Sequence, residues 1–233
     1  MTVLAVDTSQ DFLSLGIMAA TGQFFFEADA GTRHSELLFD TLEKLIDTAG
    51  IAKTDIDVLA CMEGPGSFTG LRIGFSALKG IALALNKKMI SVPTLDCTAF
   101  PFSDFPGLVA AVIDAKQNRF FSAIYRSGIS LSSYMDIGHI NLADIIINLQ
   151  KNHKTENSIL LCGNGAGLAK QALEPLLDGF NIFIDPEYRR GRAALMLKYI
   201  EKSYRFNSAS DNYAFYCKPI YIRKSDAEMQ VNK

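Results

Sequence analysis

The first hundred residues alternate between short apolar runs and a longer pattern with apolar residues every three or four positions. Short apolar runs between turn residues predict strands, and the longer pattern predicts helices. The clearest helix spans Ser35 as N-cap to Gly50 as C-cap, with Leu38, Leu42 and Leu45 on one face. The predicted order is βββαβαβ, with strands at 2–7, 12–19, 23–30, 57–62 and 89–93 and a second helix at 71–85.

The second half repeats this order. Asn141 and Asp144 are typical of a capping box at the start of its first helix, and Pro175 kinks or shortens the next one. The predicted strands are 109–115, 119–125, 129–136, 159–163 and 180–184, and the predicted helices are 142–151, 167–177 and 191–206.

This self-similarity decides the predicted fold class, because a repeated element order indicates a duplicated unit. Two βββαβαβ units in tandem suggest an α/β protein with two ribonuclease-H-like domains, as in actin, hexokinase and Hsp70 ATPases. We expect an N-terminal domain at 1–103 that carries the helices for dimerisation and a C-terminal domain at 104–233. The halves meet in the P-F-S-D-F-P-G stretch at 101–107.

Composition narrows the function classes. The chain has 233 residues, 48% of them hydrophobic, and a formal net charge of −2, so it has no global positive field for nucleic acid. Its four cysteines form no C-x-x-C pair, which argues against a zinc ribbon or a disulfide scaffold. The N-terminus lacks a basic region and Asp7 interrupts its apolar run, and no apolar run approaches a membrane span. We therefore expect a cytoplasmic protein with no membrane contact.

A glycine-rich stretch, E-G-P-G-S-F-T-G-L-R-I-G at 63–74, is the most unusual local feature. It lacks the G-K-[ST] ending of a P-loop. Asp7 and Asp114 each end a strand before a tight turn, and neither turn contains glycine for gripping phosphate. An independent ATP-dependent enzyme using Asp7 and Asp114 remains the alternative function. The residues considered for nucleotide or loop contacts are Asp7, Gly64, Gly66, Ser67 and Asp114.

Two other site chemistries are weaker. Asp7, Glu36 and Glu63 could share Mg²⁺ in a nuclease, but carboxylates at strand ends commonly serve turns and caps. His34 has no second histidine one turn later, so a helix-borne metal pair is not predicted. The G-N-G-A-G turn at 163–167 precedes a helix and allows either a phosphate contact or close strand-to-helix packing.

Several motifs together resemble the TsaB family, also called YeaZ. They are the glycine stretch at 64–74, H-S-E at 34–36, D-T-S at 7–9, the 112–125 segment, C-G-N-G-A at 162–166 and P-I-Y-I-R at 219–223. The resemblance implies a subunit of the bacterial machinery that makes N6-threonylcarbamoyladenosine at position 37 of ANN-decoding tRNAs. It implies no catalytic or metal residue and no cofactor bound by this chain alone, and it allows ATP or ADP in the complex. The implied partners are a TsaD-type catalytic subunit, a TsaE-type ATPase, tRNA through the complex, and a second copy when alone.

Both helices of the first half carry apolar residues on more than one face, which suggests pairing with partner helices. Small residues one turn apart, Gly70 with Gly74 and Ser76 with Gly80 and Ala84, would let another helix approach closely. Arg72 is expected to be structural or interfacial, because its planar guanidinium can bridge carbonyls or a carboxylate. The predicted interface residues are Ser35, Glu36, Leu38, Phe39, Leu42, Leu71, Arg72, Gly74, Phe75 and Leu78.

Overall fold

The structure is a computed structural model that describes residues 1–154, 156–187, 190–203 and 217–223. Its strands are β1 Val3–Asp7, β2 Phe12–Ala19, β3 Gly22–Asp29, β4 Val58–Gly64, β5 Lys88–Pro93, β6 Leu108–Asp114, β7 Arg119–Arg126, β8 Ile129–Ser130, β9 Met135–Gly138, β10 Ser158–Cys162 and β11 Asn181–Ile184. Its α-helices are α1 His34–Ala49, α2 Phe68–Leu85, α3 Thr94–Ala99, α4 His139–His153, α5 Ala166–Leu173 and α6 Ala193–Ser203.

The chain forms two compact units, Met1–Thr94 with Gly191–Ile220 and Leu95–Arg190 with Tyr221–Lys233. The first unit contains a five-stranded sheet in the order β3-β2-β1-β4-β5. β1 pairs antiparallel with β2 and parallel with β4, and β4 pairs parallel with β5. The predicted strand order along the chain is confirmed for this half.

Helices cover both faces of the first sheet. Leu4 and Val6 of β1 face a core that α1 and α2 complete with Leu38, Phe75 and Leu78. On the other face, α6 packs on β1 and β2, where the N–H of Ala193 donates to Ser14 Oγ at 3.1 Å. Both faces of β1 are therefore buried, as expected of a central strand that helices cover on both sides.

The second unit repeats this strand order, as the sequence pattern predicts. Its sheet runs β11-β10-β6-β7-β8, and β9 also pairs with β7. β6 is the central strand, antiparallel to β7 and parallel to β10. Leu108, Ala110 and Val112 face the α4 and α5 side, whereas Val109 and Ala111 face Leu95 of α3. The predicted α/β class with two sheets is confirmed.

Local differences concern helix starts and one strand. α1 begins at His34 after Arg33, and no side chain caps it, so the predicted N-cap at Ser35 is wrong. Gly50 does adopt the left-handed C-cap, as predicted. α4 begins after Gly138 without a capping side chain, so the Asn141 and Asp144 box is also wrong. The predicted strand 129–136 is divided into β8 and β9, and positions 204–206 of the last predicted helix lie outside the described residues.

The compact units differ from the predicted division between 1–103 and 104–233. The first stretch of the first unit ends at Thr94, the first residue of α3. The unit also includes residues from Gly191 onward, because α6 buries Met196, Leu197 and Ile200 on the first sheet's side. Each half of the chain therefore contributes its last helix to the other unit. This exchange leaves no local signal in the hydrophobic pattern.

Among the described residues, one helix is long and apolar enough to cross a membrane by length and composition. α2 has eighteen predominantly apolar residues, whereas the sequence pattern predicted no run of this length. It buries Leu71, Phe75 and Leu78 against the first sheet, and core helices commonly meet the same criterion. A single helix of this kind is weak evidence of a membrane span.

An ion-pair cluster fixes residue 223 to the second unit. Arg223 donates from Nε and Nη2 to Asp136 of β9 at 2.7 Å each, and from Nη1 to the carbonyl of Ala115 at 2.9 Å. Arg119 of β7 adds a bond from Nε to Asp136 at 2.8 Å. The hydrogen bond from Arg223 is the main cause that lowers the pKa of Asp136 below its ordinary value, followed by that from Arg119.

We predict that Asp136→Asn lowers the free energy of unfolding by about 2 kcal/mol at pH 7, because two guanidinium groups lose a charged acceptor. A carboxyl group whose pKa is lower in the folded state stabilises the fold above its unfolded pKa and stops doing so as pH falls through its folded pKa. The difference from wild type should therefore shrink in urea titrations below about pH 4. Glu43→Gln, which removes an exposed pair with Lys53, is the control with little change. A difference that persists undiminished in acid would contradict the assignment.

Candidate functional site

The carboxylate of Asp7, at the end of β1, is enclosed by its own unit. Only 1% of Asp7 is exposed. It accepts hydrogen bonds from Ser9 N–H at 2.8 Å, Ser9 Oγ at 2.6 Å and Arg192 N–H at 3.2 Å. Arg192 immediately precedes α6, and its carbonyl accepts the N–H of Met196. Asp7 thus places a carboxylate at the N-terminus of α6, where the helix dipole favours negative charge.

The electrostatics of Asp7 balance burial against hydrogen bonding. Burial raises the pKa of Asp7 above its ordinary value, and the bonds from Ser9 and Arg192 together with the charge of Arg192 oppose that rise. Three donors directed at one carboxyl group favour its charged form. The sequence pattern placed Asp7 in a possible nucleotide contact; the structure places it against the chain's own donors.

The glycines after β4 allow α2 to approach the turn after β1. A Cβ at Gly66 would collide with the carbonyl oxygen of Ser9, and a Cβ at Gly70 with that of Thr8. At Gly74 it would lie 2.5 Å from Thr8 Oγ1, which donates to the Gly70 carbonyl at 2.8 Å. These glycines serve close packing within the unit.

Ser67 and Gly64, the two other glycine-loop residues considered for nucleotide contacts, have local structural roles. Ser67 is the N-cap of α2, and its Oγ accepts the N–H of Gly70 at 3.2 Å. Gly64 has φ of +107°, and a Cβ there would lie 2.7 Å from the carbonyl oxygen of Ile220. The N–H of Ile220 in turn donates to the Glu63 carbonyl at 2.7 Å.

The second unit repeats this packing at the end of β6. A Cβ at Gly163, where φ is +93°, would lie 2.5 Å from the carbonyl oxygen of Val112, and one at Gly165 would lie 2.9 Å from the backbone nitrogen of Asp114. Asn164 Oδ1 accepts the Asp114 N–H at 3.0 Å. The Asp114 carboxylate bonds both N–H and Nζ of Lys116 at 2.8 Å. Of the two interpretations of the G-N-G-A-G turn, strand-to-helix packing fits this geometry.

The carboxylates considered for Mg²⁺ differ in environment. Asp7 is buried, Glu36 is exposed on α1, and Glu63 is half-buried at the end of β4. Within the described ranges of the chain, no group of three or more His, Cys, Asp or Glu side chains is placed to hold a metal ion.

Most of the predicted interface residues lie inside the first unit. This corrects their assignment to an outward surface, because the apolar face of each helix is used by the sheet beneath it. Gly74 is also buried against Thr8, so the Gly70 and Gly74 pair does not form an external stripe. The buried members are Leu38, Leu42, Leu71, Gly74, Phe75 and Leu78.

The outward side of α1 and α2 retains the other predicted residues. We call it the helix-pair surface and define it by its exposed residues, Ser35, Glu36 and Phe39 of α1 and Arg72, Ser76, Gly80, Leu83 and Ala84 of α2. Phe39 is 52% exposed and Leu83 59% exposed. A Cβ at Gly80 would meet nothing within 4 Å, so the second small-residue stripe does face outward. The guanidinium carbon of Arg72 lies 3.8 Å from the centre of the Phe68 ring.

Three residues of these sites were absent from the predicted site residues. Leu83 follows Gly80 on the same side of α2, and helical spacing would have indicated it. Thr8 packs against the glycines, and Arg192 encloses Asp7 from 185 positions away in sequence. No local pattern connects Asp7 with Arg192.

Comparison with known proteins agrees with this architecture. The family model described as TsaD, tRNA N6-adenosine threonylcarbamoyltransferase, matches residues 28–176. A tRNA threonylcarbamoyladenosine biosynthesis protein TsaB of Bacillus subtilis is 26% identical over 98% of this chain and 96% of its own. The Escherichia coli TsaB is 34% identical over 54% of this chain and 55% of its own. The solved YeaZ from Pseudomonas aeruginosa has a TM-score of 0.72 at 22% identity, covering 95% of this chain and 99% of its own.

The structural similarity defines the class of protein: a two-sheet α/β protein with the fold of YeaZ. The chain belongs to the TsaD family and, within it, to the TsaB (YeaZ) group.

We predict that Gly70→Ala lowers the free energy of unfolding by about 1–3 kcal/mol, because its methyl group meets the backbone of Thr8. Gly80→Ala is the matched control in the same helix. Its methyl group meets open space, so it should leave stability unchanged or raise it by about 0.5–1 kcal/mol. Urea unfolding of both variants checks this, and equal destabilisation by both would refute the packing role of Gly70.

We also predict that Asp7→Ala lowers the free energy of unfolding by about 3 kcal/mol, because the buried N–H groups of Ser9 and Arg192 lose their acceptor. Removal of a catalytic carboxylate usually leaves stability unchanged or raises it. Asp114→Ala is the control, because its carboxylate bonds only exposed groups of Lys116 among the hydrogen bonds described for it. A thermal melt of Asp7→Ala at or above the wild-type temperature would contradict the structural role.

Proposed function

We propose that this chain is a non-catalytic binding subunit that acts with a TsaD-type threonylcarbamoyltransferase in forming N6-threonylcarbamoyladenosine on tRNA. The observation that carries the proposal is the helix-pair surface, where Phe39 and Leu83 are exposed beside a small-residue stripe. Exposed aromatic and aliphatic side chains next to a helix that a partner can approach closely are typical of protein-binding surfaces. The names of the relatives, TsaB and the transferase itself, supply the pathway.

The burial and hydrogen bonding of Asp7 support the non-catalytic part of the proposal. A carboxylate that binds Mg²⁺ or activates a nucleophile needs an open coordination position. Asp7 is buried, and its oxygens accept bonds from Ser9 and Arg192. An independent ATP-dependent enzyme using Asp7 and Asp114 is therefore the weaker function.

The finer parts of the proposal follow from the family. The two sheets share one strand order, which supports two ribonuclease-H-like units. We propose a cytoplasmic protein that, in the complex, also meets a TsaE-type ATPase and tRNA for ANN codons, and that self-associates when alone. It binds no cofactor by itself, and ATP or ADP belongs to the complex.

We predict that Phe39→Asp weakens binding of the TsaD-type subunit at least about tenfold, because it replaces an exposed aromatic anchor with a charge. The melting temperature should stay at the wild-type value, since Phe39 lies outside the core. Ile129→Asp is the matched control, because Ile129 is 68% exposed on β8 of the second unit. Calorimetric titration of each variant with the TsaD-type subunit, together with tRNA modification by the mixture, gives the readout.

Gly80→Leu extends this test to the small-residue stripe. It should fold normally and weaken pairing, because the added side chain keeps the partner helix away. If Phe39→Asp and Gly80→Leu both bind like wild type, the helix-pair surface is not the binding surface.

A further inference from the structure

The first turn of α1 has no capping side chain. Arg33 occupies the N-cap position, and no side chain of the described residues caps the helix. The first helical bonds run from the N–H groups of Glu36 and Leu37 to the carbonyl of Arg33, at 3.1 Å each. The N–H groups of His34 and Ser35 come before these bonds, and such groups commonly bind a side chain, water or a ligand. The start of α1 can therefore receive an acceptor from outside the helix.

His34, the first residue of α1, is a buried side chain with an unmet hydrogen bond. It is 4% exposed, and its Nε2 has no partner in the part of the chain that the structure describes. Helix side chains lean toward the N-terminus, so the imidazole lies near the uncapped first turn. A buried polar atom without a partner destabilises the chain that carries it. A group that meets this atom on binding would recover that free energy.

The helix N-terminus decides which chemistry fits this place. A neutral imidazole nitrogen donates or accepts, depending on its tautomer, so His34 alone does not specify its partner. The start of a helix carries partial positive charge and favours an anion. Arg33 adds a positive charge and Glu36 a negative one, both on exposed side chains, so the dipole sets the preference. A carboxylate meets both needs, because it accepts from Nε2–H with one oxygen and from backbone N–H with the other.

The start of α1 adjoins the helix-pair surface. Ser35 and Glu36 belong to that surface, and Phe39 follows Ser35 by one turn. A partner that contacts Phe39 therefore has its own side chains beside the first turn of α1. The segment 31–33 leads into the helix and is exposed at every position. It is held by backbone bonds to the carbonyls of Asp11 and Ala30.

We propose that a carboxylate side chain of the TsaD-type subunit caps α1, accepting hydrogen bonds from His34 Nε2 and from the backbone N–H groups of the first turn. This contact rests on the proposed function, because it lies at one end of the same binding surface. His34 is buried in the unbound chain, so the exposed segment 31–33 shifts to admit the carboxylate. The cap adds specificity, because Phe39 can pack on many apolar helices, whereas the cap needs an acid at one position.

His34→Phe tests the contact, because a phenyl ring has a similar shape and forms no hydrogen bond of this kind. We expect it to weaken binding of the TsaD-type subunit at least about tenfold in calorimetric titration. The melting temperature of the unbound chain should equal or exceed that of the wild type, because a buried atom without a partner is removed. Wild-type affinity, or an earlier melt that shows a structural role, would overturn the proposal.

His139→Phe is the matched control. His139 is the first residue of α4 in the second unit, and α4 also starts without a capping side chain among the described residues. Its side chain is half-buried, and it lies outside the helix-pair surface. His139→Phe should bind the TsaD-type subunit like the wild type. Equal weakening by both variants would show that the effect is not specific to α1 and would contradict the assignment.

An amide scan of the partner identifies the carboxylate. Each aspartate and glutamate of the TsaD-type subunit is changed singly to asparagine or glutamine and titrated with the wild type and with His34→Phe. One change should weaken binding to the wild type by about the same factor as His34→Phe does. It should weaken binding to His34→Phe by less than about twofold, because that hydrogen bond is already lost. If every partner variant weakens both bindings equally, no carboxylate contacts His34 and the proposal is wrong.

Inorganic phosphate and a second copy of the chain are the other occupants to test. Phosphate should leave the melting temperature of the unbound wild type unchanged. A rise in the wild type that is absent in His34→Phe would assign the site to a small anion and overturn the proposal. In light scattering, His34→Phe should self-associate like the wild type. Lost self-association with unchanged binding of the TsaD-type subunit would assign the site to a second copy.

Phe39→Asp separates failure of the cap from failure of the proposed function. If Phe39→Asp loses binding whereas His34→Phe binds like the wild type, the helix-pair surface is supported and the cap is wrong. If the wild type itself does not bind the TsaD-type subunit, the proposed function and the cap are both wrong.

Discussion

The close approach of α2 to the turn after β1 is the contact on which the first unit depends. Gly66, Gly70 and Gly74 bring the helix against Ser9 and Thr8 at distances that leave no room for a Cβ. Because α2 lies this close to the sheet, its apolar face packs on β4 and completes the core there. Its other face is exposed to solvent. The same turn holds Ser9, which donates twice to Asp7. The glycine stretch thus connects core packing, the enclosed carboxylate and the exposed helix surface.

The second unit has the same glycine packing with different residues. Gly163 and Gly165 bring the loop after β10 against Val112 and Asp114 at the end of β6. In both units the glycine loop after the fourth strand packs on the end of the first strand. Glycine in such a loop often lets a ligand approach the backbone closely. Here it lets another part of the chain's own backbone approach. This shared packing accounts for the glycines of both loops without a ligand.

Hydrophobic periodicity predicted the strand order and five of the six α-helices described, because each of these elements buries one face or both, but it missed the short α3 at Thr94–Ala99. It could not predict which helix faces remain exposed. Leu38 and Phe39 are adjacent on α1, yet one is in the core and the other is exposed, and only the direction of the sheet beneath decides between them. The predicted N-cap at Ser35 was wrong because the start of a helix depends on the direction from which the chain enters it. The contact between Asp7 and Arg192 was unpredictable because it joins positions 185 residues apart.

Hydrogen–deuterium exchange of this chain, with and without the TsaD-type subunit, tests the central claim most directly. We predict new protection in residues 34–49 and 68–85 when the partner binds, because α1 and α2 carry the proposed binding surface. We also predict no change at residues 7–11 on adding ATP and Mg²⁺, since Asp7 is already enclosed. Nucleotide-dependent protection at residues 7–11 of the isolated chain, with none on α1 or α2 from the partner, would contradict the claim.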